Sequence, residues 1–156
     1  MSNKTTYILQ LLTAIGLIAF WTAFFTIGFE NPNYPDYYTK FEHSFPLPDL
    51  FLSIVLLMAY FNRNNLKWKN YTLVAAGAMI FLGLCDFSFN ILNGMYTVGL
   101  ADGIMNAFIN IWCVGFGVWQ IYLKGFLQIR RGPDRQRQLL FLRSKPFEVN
   151  RREQGD

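Results

Sequence analysis

Hydrophobic residues fall into four blocks of nearly bilayer length, which are separated by short polar segments. The blocks are residues 7–29, 45–61, 71–92 and 104–123. About 20 apolar residues cross the hydrocarbon core of a bilayer, so three blocks have full length and the second is shorter. The first block contains no charge and no polar face at helical spacing, which a soluble bundle would need. The pattern predicts an all-α, four-helix transmembrane bundle and a multi-pass protein of the cell membrane.

The placement of basic residues predicts the orientation of this bundle. Nine of the 14 Lys and Arg residues follow the fourth block: Lys124, Arg130, Arg131, Arg135, Arg137, Arg143, Lys145, Arg151 and Arg152. Three more, Arg63, Lys67 and Lys69, lie between the second and third blocks, whereas the segments that face the other way hold only Lys40. Cytoplasmic segments carry the excess of Lys and Arg, so both termini are predicted to be cytoplasmic. The charge thus points to the lipid bilayer as partner and not to nucleic acid.

The chain of 156 residues has room for one compact unit and a tail. We predict a four-helix transmembrane domain over 1–128 and a basic cytoplasmic tail over 129–156. The tail is interrupted by Gly132-Pro133, and its apolar segment 139–142 fits either contact with the anionic inner leaflet or a plain positive-inside anchor. The first block is far longer than the core of a signal peptide, so it is interpreted as an uncleaved span.

Turn and cap signals predict where the helices begin on the outer side. Pro46 and Pro48 favour a helix start near them, with Asp49 in the first turn. Asp102 is a good N-cap for the fourth helix. The preceding outer segment, 30–44, is predicted to be a loop whose aromatic residues rest at the membrane interface: Tyr34, Tyr37, Tyr38 and Phe41.

Asp86 is the one carboxylate deep inside a predicted span. It lies about 22 Å along its helix from Tyr71, at 1.5 Å per residue, which places it past the midplane in the outer half. A charge at such a depth costs several kcal/mol, and intramembrane carboxylates are therefore functional candidates. Asn90 and Asn93 follow at four and seven residues and share its face.

Polar residues of the other spans collect at the same depth. In the fourth span Asp102, Asn106 and Asn110 recur every four residues and form one stripe, while Asp49 lies at the outer end of the second. The inner halves are more apolar, as in the run 54–57. We therefore predict a polar cup in the outer half, with these ligand-binding residues: Asp86, Asn90, Asn106, Asn110, Asp49 and Glu42.

Three functions fit such a cup. The first is binding or transport of a small molecule or lipid, and the transport version predicts a homodimer because four spans are few for a carrier. The second is an enzyme acting on a lipid, with Asp86 as general acid or base and Asp49 or Glu42 as the second titrating group. The third is a non-catalytic subunit or assembly factor, in which Asp and Asn only join helices at about 0.6 kcal/mol per hydrogen bond. The sequence does not decide whether the protein is an enzyme.

Other kinds of chemistry have little support in the sequence. No Ser-His-Asp order, phosphate loop or zinc spacing occurs, and no cofactor or metal is expected. A metal site from Glu42, His43 and Asp49 is less favoured than a plain loop histidine. Cys85 and Cys113 fall inside spans, where buried packing thiols are the usual interpretation.

Three segments carry a resemblance to a known group of proteins. They are 41–49 (FEHSFPLPD), 84–90 (LCDFSFN) and 94–96 (GMY). With them the chain, over roughly residues 7–123, resembles an uncharacterised family of small four-span integral membrane proteins of prokaryotes. The resemblance implies the four-helix fold and no activity. Four-span sterol isomerase-like proteins also place carboxylates around a lipid-shaped cavity, which is an analogy at the level of the fold.

Overall fold

The computed structural model describes the backbone of residues 3–28 and 34–144 and the side chains of residues 4–28 and 34–123. In these ranges five α-helices follow one another: α1 (Asn3–Ile27), α2 (Asp36–Glu42), α3 (Pro46–Phe61), α4 (Trp68–Leu92) and α5 (Leu100–Ser144), with a short 3-10 turn at Met95–Thr97 before α5. No strand occurs in the described ranges. The predicted all-α class is confirmed.

Four helical segments of the described chain are long and apolar enough to cross a membrane. They are Lys4–Ile27, Asp36–Phe61, Trp68–Leu92 and Leu100–Leu123. Many of their large apolar side chains point outward, including Phe81, Phe108 and Ile111, which are each 66–67% exposed. Exposed apolar surface on this scale is typical of helices that face lipid.

The second span differs from its prediction at its N-terminal end. The start of α3 at Pro46, with Asp49 in the first turn, is as predicted. However, residues 36–42 form α2 where a loop was expected, and the spanning segment therefore begins at Asp36. Within α2, Tyr38 is 2% exposed, so it is packed inside the protein and does not rest at the membrane interface.

The fourth long helix also extends further than predicted at both ends. It begins at Leu100, so Asp102 lies in its first turn and is not the N-cap. It continues past Leu123 to Ser144 through the predicted break at Gly132-Pro133. The chain divides into two compact units, Met1–Tyr122 and Leu123–Asp156, and the rest of this description concerns the first. Residues 145–156 of the predicted tail and the side chains of 139–142 lie outside the described part.

The spanning helices pack around one apolar core. Helix α3 packs against both α1 and α4, while α5 bonds to α1 through Trp112 Nε1, which donates to Thr13 Oγ1 at 3.2 Å. The core residues come from all four long helices: Ala14, Leu52, Val55, Leu56, Ala75, Met79, Cys113 and Phe116. Along each helix these residues lie between the predicted outer polar groups and the predicted inner end, so the core forms a layer across the middle of the bundle.

A second polar cluster lies on the predicted inner side of this layer, where the sequence was interpreted as mainly apolar. Gln10 donates from Nε2 to Gln120 Oε1 at 2.7 Å and to Thr72 Oγ1 at 3.1 Å, and accepts from Trp68 Nε1 at 3.4 Å. Gln10, Gln120 and Thr72 have no exposed surface. Because all these groups are neutral and bond to one another, we interpret the cluster as an interhelical connection.

Helices α4 and α5 approach closely at two glycines. A Cβ atom on Gly83 would lie 2.9 Å from Cys113 Cβ, and one on Gly117 would lie 2.8 Å from the carbonyl oxygen of Ala76 and 2.7 Å from Ile80 Cγ1. Real Cβ atoms do not come this near to backbone. Small residues at such contacts allow backbones in a membrane bundle to pack closely.

We predict that Gly117→Ala destabilises the bundle because its methyl group meets the backbone of α4. Overpacking of this kind costs about 1–3 kcal/mol. Gly115, two residues earlier, has open space around a Cβ atom, so Gly115→Ala is the matched control and should be neutral or slightly stabilising. Thermal unfolding of both variants in detergent checks this, and equal melting temperatures would contradict the close packing.

Candidate functional site

A cavity of about 90 Å³ lies in the predicted outer half of the bundle; we call it the cup. All five helices contribute to it. Its lining residues are Leu17, Phe20, Trp21 and Phe24 of α1; Tyr38, Phe41 and Glu42 of α2; Phe45 and Asp49 at the start of α3; Leu82, Gly83 and Asp86 of α4; and Asn106, Ile109, Asn110 and Cys113 of α5. Five of the six predicted ligand-binding residues therefore face one cavity.

Asp86 is partly buried and is held by neighbouring amide groups. Asn90, one turn further along α4, donates from Nδ2 to Asp86 Oδ1 at 2.8 Å and to the backbone carbonyl of Asp86 at 2.9 Å. Asn110 of α5 also interacts with the Asp86 carboxyl group. Asn90 itself is fully buried and does not line the cup, so it positions Asp86 from behind.

Asp49 is the second carboxylate of the cup. Trp21 of α1 donates from Nε1 to Asp49 Oδ2 at 2.9 Å, which joins α1 to α3 at this depth. The Asp49 side chain is also near enough to Asp86 for the two charges to interact. Two carboxylates on different helices thus face one small cavity, and when both are ionised they repel each other.

Two tyrosines accept hydrogen bonds from the asparagines of α5 that line the cup. Asn106 Nδ2 donates to Tyr38 Oη at 2.9 Å, and Asn110 Nδ2 donates to Tyr96 Oη at 2.8 Å. The sequence predicted Asn106 as a ligand-binding residue; it lines the cup, and its amide donor bonds to Tyr38. Tyr38 and Tyr96 are the site residues that the sequence analysis missed.

The α4–α5 turn brings Tyr96 to this position through two glycines. Gly94 follows the C-cap of α4 and has a φ of +65°, in the left-handed region that favours glycine. Gly103 lies in the first turn of α5, and a Cβ atom there would collide with the backbone of Tyr96. Because Gly103 has none, the 3-10 turn can lie against α5 with the Tyr96 hydroxyl near Asn110.

Burial and nearby charge raise the pKa values of Tyr34 and Tyr96, which lie outside the spanning segments. Burial raises the pKa of Tyr96, with the Asn110 hydrogen bond opposing and the charge of Asp86 reinforcing this change. Burial, together with the carboxylates of Asp102 and Glu42, raises the pKa of Tyr34 to about 12. Since both hydroxyls remain neutral at physiological pH, they can act as hydrogen-bond donors and acceptors but not as bases.

Aromatic rings form much of the rest of the lining. Phe41 of α2 stacks on Phe89 of α4, with ring centroids 3.6 Å apart and an interplanar angle of 7°, and this contact fixes α2 against α4. The rings of Trp21 and Phe24 pack edge to face, with their centroids 5.2 Å apart. The cup therefore combines carboxylates, amides and hydroxyls with an apolar surface.

The size of the cavity limits what it can hold. Pockets for drug-sized ligands usually measure about 300–1,000 Å³, and a water molecule occupies roughly 30 Å³ in the liquid. At about 90 Å³ the cup has room for a few water molecules or one small solute. A cavity of this volume does not enclose a whole lipid.

The metal alternative lacks support in the described part of the chain. No group of three or more His, Cys, Asp or Glu residues is placed there to hold a metal ion, so Glu42, His43 and Asp49 do not form such a set. The His43 ring instead packs against Phe24 and Phe25, at centroid distances of 5.7 and 6.1 Å.

No protein-family model matches the chain, and no curated protein or solved structure is significantly similar to it. The resemblance to small four-span proteins of prokaryotes therefore stays a prediction.

We predict that Asn90→Ala lowers the free energy of unfolding by about 1–3 kcal/mol, because Asp86 Oδ1 loses a buried donor. Asn93→Ala is the matched control: Asn93 is exposed, and its amide also bonds to the carbonyl four residues back, at 2.9 Å. We expect its effect to stay within about 0.5 kcal/mol. In a double-mutant cycle, the cost of Asn90→Ala should shrink when residue 86 is already Asn. Additive effects would mean that Asn90 does not support Asp86.

Proposed function

We propose that this chain is a multi-pass protein of the cell membrane that binds a small, water-soluble ligand in the cup, with Asp86 as the main recognition group. The observation that carries the proposal is the pair of carboxylates, Asp49 and Asp86, facing one cavity with hydrogen bonds from the neutral groups Trp21 and Asn90. A carboxylate in a spanning segment is costly, and its retention is commonly explained by a function.

The contrast between the two polar clusters supports a binding role. The inner cluster of Gln10, Thr72 and Gln120 joins α1, α4 and α5 through neutral side chains. Joining helices in this protein therefore does not require a charge. The carboxylates of the cup add a desolvation cost that helix association alone does not explain.

The strongest rival is a non-catalytic subunit or assembly factor in which the outer polar groups serve only to hold the helices together. It is favoured by the bonds of Asn106 to Tyr38 and of Asn110 to Tyr96, which use amide donors inside the protein. An enzyme acting on a lipid is less supported, since the cup is too small to enclose a whole lipid. Transport of the ligand would lead us to expect a homodimer.

The Asp86→Asn variant separates binding from a purely structural role. If the cup is a binding site, we expect this variant to keep or increase its melting temperature, because a costly charge is removed. It should also lose any stabilisation by ligand. The measurement is thermal unfolding of the detergent-purified full chain with a panel of small water-soluble cations, anions and neutral compounds.

Asp36→Asn is the matched control, since Asp36 is an exposed carboxylate on α2. It should respond to ligands as the wild type does. A lower melting temperature of Asp86→Asn, together with no ligand effect on the wild type, would reject binding and favour the structural role.

We also propose that both termini are cytoplasmic, on the basis of the basic segments 62–70 and 124–156. Reporter fusions check this: a fluorescent protein that folds only in the cytoplasm should be active at the C-terminus. A phosphatase that is active only outside should work when inserted in the loop at 97–99. The opposite pattern would mean that both termini are outside and that the cup lies in the cytoplasmic half of the bundle.

A further inference from the structure

The electrostatic character of the cup points to the charge of its ligand. Asp49, Asp86 and Glu42 line the cavity, and no Lys, Arg or His is among its lining residues in the described chain. The hydrogen-bond donors to Asp49 and Asp86 are neutral indole and amide groups. When these carboxyl groups are ionised they repel an anion, whereas a cation offsets their mutual repulsion.

The arrangement of these carboxylates does not suit a metal ion. Divalent cations require several oxygen ligands that converge within about 2.0–2.6 Å. The described residues contain no group of three acidic or metal-ligating side chains close enough to hold one ion. Asp49, Asp86 and Glu42 therefore line one cavity without forming a set of three metal ligands.

The aromatic surface supplies what an organic cation requires. Six of the lining residues are aromatic, and we call them the aromatic wall: Phe20, Trp21, Phe24, Tyr38, Phe41 and Phe45. Ring faces attract ammonium groups, by up to about 2 kcal/mol when water is excluded, and they also bury alkyl groups. Trp21 has two roles in the cup: its ring belongs to the aromatic wall, and its Nε1 donates to Asp49.

We infer that the ligand of the cup is a small alkylammonium ion, with its charge toward Asp86 and Asp49 and its alkyl groups against the aromatic wall. The volume of about 90 Å³ selects an ion with only a few carbon atoms. This inference rests on the proposed binding function and adds the chemical class of the ligand.

The test is isothermal titration calorimetry of the full chain in detergent, at constant ionic strength, with four probes of known charge. Trimethylammonium is the cation, tert-butyl alcohol is a neutral compound of similar shape, pivalate is the anion, and sodium is the inorganic cation. We expect trimethylammonium to bind at least about tenfold more tightly than each of the others.

Matched variants locate the binding. Asp86→Asn and Phe24→Leu should each weaken trimethylammonium binding, the first by about tenfold or more and the second severalfold. Asp36→Asn and Phe25→Leu should leave it unchanged, because Asp36 is exposed and Phe25, 62% exposed, is not among the lining residues of the cup. If Asp86→Asn does not fold, Asp49→Asn replaces it.

The outcomes separate the two proposals. Equal, Asp86-dependent binding of tert-butyl alcohol, pivalate or sodium would overturn the alkylammonium inference and leave the binding function standing. Trimethylammonium binding that is insensitive to both Asp86→Asn and Phe24→Leu would overturn the inference at this cavity. No binding of any probe, at concentrations up to tens of millimolar, would overturn the inference; the compound panel with Asp86→Asn then decides the binding function by itself.

Discussion

Polar side chains on the apolar helices of this protein must find their partners inside the bundle, because lipid offers none. Asp86, Asn90, Gln10 and Gln120 all point inward, and most of their donors reach another side chain or a carbonyl group. Exposed positions of the same helices carry large apolar residues. The cost of an unpaired polar group in hydrocarbon therefore determines which face of each helix is internal, and the arrangement of the bundle follows from it.

The inward polar groups form two layers with different chemistry. On the predicted inner side, neutral amides and hydroxyls bond to one another around Gln10. On the predicted outer side, Asp49 and Asp86 border a cavity together with amides and aromatic rings. The apolar layer of residues such as Leu56 and Met79 lies between them. This separation allows one layer to stabilise the bundle while the other carries a charge that a ligand can use.

Close packing of α4 and α5 makes the outer layer possible. Gly83 and Gly117 let the two helices approach, so Asp86 and Asn110 come near each other. Gly103 lets the turn that carries Tyr96 lie on α5, where its hydroxyl accepts from Asn110. The polar contacts of the cup thus depend on positions that have no side chain and no chemistry of their own.

The sequence by itself determined the helical class, the four apolar helices of spanning length and the common level at which the polar residues collect. Hydrophobic length and helical spacing are local properties, and they were sufficient to predict that Asp49, Asp86, Asn106 and Asn110 share one level. The helix boundaries were less well predicted. The short helix α2, for example, is stabilised by the stacking of Phe41 on Phe89, a residue distant in the chain that a local pattern does not reveal.

Only the tertiary structure decided which polar groups are partners. Gln10 and Gln120 are 110 residues apart and Asn106 and Tyr38 are 68 apart, and neither pair has a local signal. Tyr38 was expected at the membrane interface because aromatic residues favour it, but its hydroxyl bonds inside. The size of the cup also depends on how closely α4 and α5 approach, since a cavity is what remains after side chains from all five helices have packed.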